Sequence, residues 1–145
     1  MRFAALAALT ALAAQSPARP VRWTIHADGR DRSATLRATI DPGWKLYSMT
    51  QPPGGPGPTR ISVAGDAPLR LGGRVQRPSP DTIPDAIFGI MSEVYEDSVS
   101  FHIPLAGVSG RRQQLVVTVT YQACTNRVCL TPRTDTLRVM LPTRR

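Results

Sequence analysis

From Pro20 onward, apolar and polar side chains alternate with a period of two, which predicts strands and not helices. Val21, Trp23, Ile25 and Ala27 fall on one face of a first segment, and Arg22, Thr24 and His26 on the other. Ala34, Leu36, Ala38 and Ile40 repeat the pattern, with Asp28-Gly29-Arg30-Asp31 as the turn between the two. Asp41-Pro42-Gly43 then turns the chain into a short aromatic strand, residues 44–48. Four prolines and three glycines occupy residues 52–58, a density that predicts a loop with no regular ladder. Further strands are expected at residues 59–63, 69–71, 73–76, 98–105, 115–121 and 136–141, with residues 77–84 as another proline-marked loop. Between Asp85 and Glu96 lie Ile87, Phe88, Ile90, Met91, Val94 and Tyr95 without clean alternation, which reads as a loop over the core or an exposed lid. Seven to nine short strands with polar turns predict an all-β, antiparallel sandwich.

Residues 1–14 follow a different pattern: Arg2, then an apolar run broken only by Thr10, with small residues at Ala11 and Ala13. This predicts a cleaved secretory signal peptide, a flexible lead-in over residues 15–20, a single domain over residues 21–142 and a short tail over 143–145. The run is too short for a membrane span and no later segment approaches the required length, so an exported protein with no direct membrane span is expected. The formal net charge is +8, and seventeen of the eighteen basic residues are Arg. They are scattered along the chain without interleaved aromatics, which argues against a nucleic-acid groove and for a basic solvated surface.

The chemistry sits in the two cysteines, Cys124 and Cys129, placed between the expected strands 115–121 and 136–141. That layout reads as a hairpin with a cysteine on each shoulder, and opposed residues of an antiparallel pair lie close enough for a disulfide. As a staple it would be weak. Closing a loop of about six residues restrains the unfolded chain by roughly 2 kcal/mol, against roughly 4 to 5 for about 100 residues. Redox exchange, a structural bond and metal binding all remain readings of the spacing. Two thiolates leave a tetrahedral zinc site incomplete, and His26 and His102 have no ligand-like spacing to them. Arg127, between the cysteines, would favour a thiolate. No Ser-His-Asp set, phosphate-cradling loop or carboxylate pair stands out, and neither a cofactor nor a metal is expected.

Tyr121-Gln122-Ala123-Cys124, followed by Cys129 and Pro132, resembles the amino-terminal periplasmic domain of the thiol:disulfide interchange protein DsbD. The resemblance extends to Trp23, Pro42-Gly43-Trp44-Lys45-Leu46-Tyr47-Ser48, Phe88-Gly89 and Glu93-Val94-Tyr95. It implies an immunoglobulin-like sandwich in which Cys124 and Cys129 are the exchanging pair. It also implies a cap loop near Asp85, with Phe88 as the shielding aromatic, Ile87 as its rival and Gly89 beside them. Tyr47, Tyr95 and Tyr121 are then site neighbours. The partners implied are thioredoxin-fold proteins, as electron donor and exported acceptors. Family members continue into membrane-spanning and thioredoxin-like domains, whereas this sequence ends at Arg145, so the expectation is either a separately encoded membrane electron-transfer protein that reduces it or reuse of the module for another exported task. Departures from the pattern are the four residues between the cysteines, Thr131 where proline is common, and Ala86 where the family has an acid. The rival reading, from another class, is a secreted sandwich used for interaction or adhesion, in which the disulfide only fixes a hairpin.

Overall fold

The computed structural model describes residues 19–142, so the expected signal peptide and tail lie outside the described residues. The described residues form eleven strands and no helix, and every strand pair is antiparallel. The first sheet contains β1 (Val21–Asp28), β2 (Ser33–Ile40), β8 (Ser98–Ala106) and β5 (Arg70–Leu71), in that order. A second has the order β11 (Arg133–Leu141), β9 (Gln113–Tyr121), β4 (Arg60–Gly65). The third runs β10 (Ala123–Cys124), β3 (Lys45–Tyr47), β7 (Met91–Tyr95), β6 (Asp81–Pro84).

The predicted alternation becomes the core. In β2 and β8 the apolar faces meet in register, Leu36 opposite Phe101 and Ala38 opposite Val99, and all four are buried. Leu115, Val117 and Val119 of β9 close the core from the second sheet, and Leu46 and Tyr95 extend it into the third. This is the all-β, antiparallel, immunoglobulin-like sandwich that the strand pattern and the resemblance together imply. Pro20, expected in a flexible lead-in, is buried, and its carbonyl accepts the Asp41 N–H at 2.8 Å.

Three expectations change. Residues 73–76 do not form a strand; Gln76 makes only an isolated bridge to His102, while Val75 is buried. The expected loop 77–84 ends in β6, which is the outermost strand of its sheet, where a proline costs no interior ladder bond. Residues 91–95, read as part of a loop or lid, are strand β7. Their hydrophobicity does not alternate because the strand is covered on both sides: Val94 and Ser92 are buried on one face and Tyr95 on the other.

Candidate functional site

The chain leaves β9 at Tyr121, passes Gln122 and pairs again as β10, with Ala123 opposite Leu46 and Cys124 opposite Lys45. Cys124 and Cys129 then face one another across an isolated bridge, with Cα atoms 4.1 Å apart, and are joined by a disulfide. Thr125 shapes the intervening turn. Its N–H donates to the Val128 carbonyl at 2.8 Å, and its hydroxyl accepts the N–H groups of Arg127 and Val128, each at 3.1 Å. Asn126 and Arg127 therefore sit exposed at the tip, and the Lys45 ammonium donates to the Asn126 side-chain carbonyl.

Cross-strand partners point to the same face of a sheet, which separates this third sheet into two chemistries. Ala123, Leu46 and Tyr95 point into the main core. Cys124, Tyr47 and Val94 form a second, smaller buried cluster on the opposite face, against which Ile83 and Cys129 pack. Cys124 is 0% exposed, whereas Cys129 is only partly buried. The two sulfurs thus differ in their access to an incoming reagent.

A hairpin tip is tied to this cluster by Asp85. The Tyr47 hydroxyl donates to one Asp85 carboxylate oxygen at 2.7 Å, and the other accepts the N–H of Ile87 at 3.0 Å and of Phe88 at 3.1 Å. Burial opposes charge on Asp85, but these hydrogen bonds, with one from Ser92, outweigh it and hold the carboxyl below its usual range. Burial, and then the Asp85 bond, push the Tyr47 phenol up, so it stays a donor at neutral pH. The tip is closed by the Asp85 N–H donating to Ile90 C=O and the Gly89 N–H to Asp85 C=O, both at 2.8 Å. Gly89 is at φ +67°, a conformation that favours glycine.

The proline- and glycine-rich loop buttresses the tip. A Cβ on Gly55 would lie 2.6 Å from the Cδ1 end of the Ile90 side chain, which would have to shift to admit it. Gln122 ties the same loop to the cysteine turn: its carbonyl oxygen accepts the Gly57 N–H at 2.8 Å and its amide donates to Leu130 C=O at 3.1 Å.

Of the residues singled out from sequence, Tyr47 and Asp85 are brought to the disulfide cluster, and Ile87, Phe88 and Gly89 lie in the tip beside them. Ile87 is exposed; Phe88 is half-buried and belongs to neither buried cluster. Tyr95 and Tyr121 belong to the main core instead. Tyr95 donates to Pro78 C=O at 2.8 Å, and its ring meets Phe101 edge-on at 5.9 Å. Tyr121 donates to Asp135 at 2.8 Å, and its phenol is pushed up to about 12 by burial and then by that bond. Their hydroxyls are satisfied away from the cysteines, because alternate residues of a strand face opposite ways. Sequence reasoning missed Ile83, the Lys45–Asn126 contact and the Gln122 bridge; the one available signal was Lys45, the only lysine, next to the aromatic strand. His26 and His102 are exposed, and no group of three or more His, Cys, Asp and Glu side chains is gathered for a metal among the described residues.

Over residues 12–141 the sequence matches the family described as thiol:disulfide interchange protein DsbD, N-terminal. The chain belongs to this family. Comparison with curated proteins gives no match. Among solved structures, the DsbD N-terminal fold of this chain is similar to the reduced N-terminal domain of Neisseria meningitidis DsbD, at 23% identity and TM-score 0.54, covering 75% of this chain and 77% of that one. It is also similar to a structure of the complex between the DsbD and PilB N-terminal domains of the same organism, at 21% identity and TM-score 0.53, covering 74% of each chain. The N-terminal periplasmic domain of ScsB from Proteus mirabilis matches at 23% identity and TM-score 0.58, over 79% of this chain and 44% of that one.

Proposed function

We propose that this DsbD N-terminal domain is an exported thiol:disulfide exchange module, passing reducing equivalents from a thioredoxin-fold donor to exported acceptor proteins through Cys124 and Cys129. The observation that carries the reading is the asymmetry of the disulfide: Cys124 is sealed against Tyr47 and Val94, while Cys129 is partly exposed at the end of an exposed turn. A bond closing so short a loop adds little as a staple. One similar structure is described as a DsbD–PilB complex and another as a periplasmic domain, which supports an exported, partner-binding role. A membrane electron-transfer protein is the proposed ultimate source of electrons. No helix of the described residues is long and apolar enough to cross a membrane.

In the proposed cycle a donor thiolate attacks the Cys129 sulfur in line with the Cys124–Cys129 bond, which breaks. Cys124 leaves as a thiolate and takes a proton, and Cys129 carries the mixed disulfide. A second donor thiol resolves it, leaving the donor oxidised and both cysteines reduced by two electrons. Delivery to an acceptor disulfide runs the same steps in reverse. The tip around Phe88, held by Tyr47 and Asp85, is the proposed cover that a partner pushes aside.

Trapping tests the proposal. Cys124→Ala removes the leaving sulfur and keeps the accessible one, so it is expected to hold a thioredoxin-fold protein as a stable mixed disulfide in an exported extract; Cys129→Ala, which keeps only the sealed sulfur, is expected to trap far less. Capture of no thioredoxin-fold protein by either variant would remove the electron-transfer role.

A further inference from the structure

Building on the exchange reading, we propose that Lys45 and Arg127 form a cationic collar at the disulfide, selecting partners whose reactive cysteine is flanked by carboxylates. Lys45 stands opposite Cys124 in the ladder and shares its face, and its ammonium is held against the inter-cysteine turn by Asn126. Arg127 sits between the cysteines, exposed, and among the described residues its guanidinium makes no hydrogen bond or ion pair. Val128 beside it, 51% exposed, gives a partner an apolar contact next to the charge.

Negative charge is correspondingly withheld from this edge. Asp85 is engaged on both oxygens by Tyr47, Ile87 and Phe88, and Ala86 next to it carries no charge. The free carboxylate on the same face is Asp81, opposite Val94 on β6, three strands from β10 and so about 14 Å away. An approaching thiolate therefore meets two cations before any uncompensated anion. Attraction between exposed charges of this kind acts mainly on the rate of encounter and fades with salt.

Three end-blocked peptides serve as probes, Glu-Cys-Glu, Gln-Cys-Gln and Lys-Cys-Lys, each reducing the oxidised protein under low salt, with rates expressed per thiolate. Arg127 lies in an exposed turn, so Arg127→Gln leaves the fold intact. Each negative charge on the reagent is worth about twofold at a separation of about 8 Å in water. With one negative charge on the Gln peptide thiolate and three on the Glu peptide, the variant is therefore expected to slow the Glu peptide about eightfold and the Gln peptide about twofold, and not to slow the Lys peptide. Lys45→Gln is expected to act in the same order, and salt well above physiological strength removes the differences. Arg111→Gln is the control for overall charge, because Arg111 precedes the far end of nine-residue β9, about 30 Å from the turn; it is expected to change none of the rates. Equal slowing of all three peptides by Arg127→Gln, or slowing by Arg111→Gln as large as by Arg127→Gln, overturns the collar alone. A disulfide that no peptide reduces overturns the exchange reading and the collar with it.

Discussion

Tyr47 and Asp85 couple the buried sulfur to the hairpin tip through a single hydrogen bond. Tyr47→Phe keeps the ring on Cys124 and removes only the donor; it should cost about 1 kcal/mol in denaturant unfolding and speed reduction of the disulfide by a small phosphine. Stability unchanged together with unchanged reduction would show that the bond holds nothing. The same bond sets a pH dependence. Asp85 is depressed in the folded protein, so its stabilising contribution is present above its ordinary value of 3.8 and is lost as pH falls through the lower folded value. Glu93 behaves alike, lowered by Ser48 and Thr50 with help from Arg77, against opposition from burial. Below pH 3.8, phosphine reduction should accelerate relative to Asp85→Ala, whose tip is already released at every pH. Parallel profiles for the two proteins would exclude the clamp. Tyr47 was legible from its place in an aromatic strand; the partner of its hydroxyl was not, because Asp85 is 38 residues away and only the sheet brings them together.

At the scale of elements, the tip of the β6–β7 hairpin and the cysteine turn are linked through the loop that Gln122 anchors. Gln122→Ala frees the Gly57 N–H and the Leu130 carbonyl, two bonds whose net loss is about 1 to 3 kcal/mol. Hydrogen exchange at Gly57 should rise with it, and unaltered exchange would mean that the bridge does not hold the loop. Phe88→Ala separates cover from core. A core Phe truncated to Ala costs about 3 to 5 kcal/mol, whereas the proposed cover should leave stability nearly unchanged and speed attack by small thiols. A large loss without faster reduction would end the cover. Strands β1, β2, β8 and β9 were readable because one face is core and the other solvent, so hydrophobicity alternates with the pleat. Strand β6 was not, because it is a mostly exposed edge strand among prolines, nor was β7, which is buried against the cysteine cluster on one face and the core on the other, nor β10, which has only two residues.

The whole molecule joins a sandwich core to a thin outlying sheet whose outer face holds the disulfide. The cysteine pair and the family were visible in sequence, through the order and spacing of short motifs. The division of tyrosines between the two faces was not, because residue type alone does not say which way a strand turns its side chains. The central claim is that Cys124–Cys129 is an exchanging bond and not a fixed one. Equilibration of the purified protein with glutathione or thioredoxin buffers of known poise measures its reduction potential directly. An exchanging bond should come out more oxidising than about −300 mV, and a value well below that would make it structural and leave an interaction module in its place.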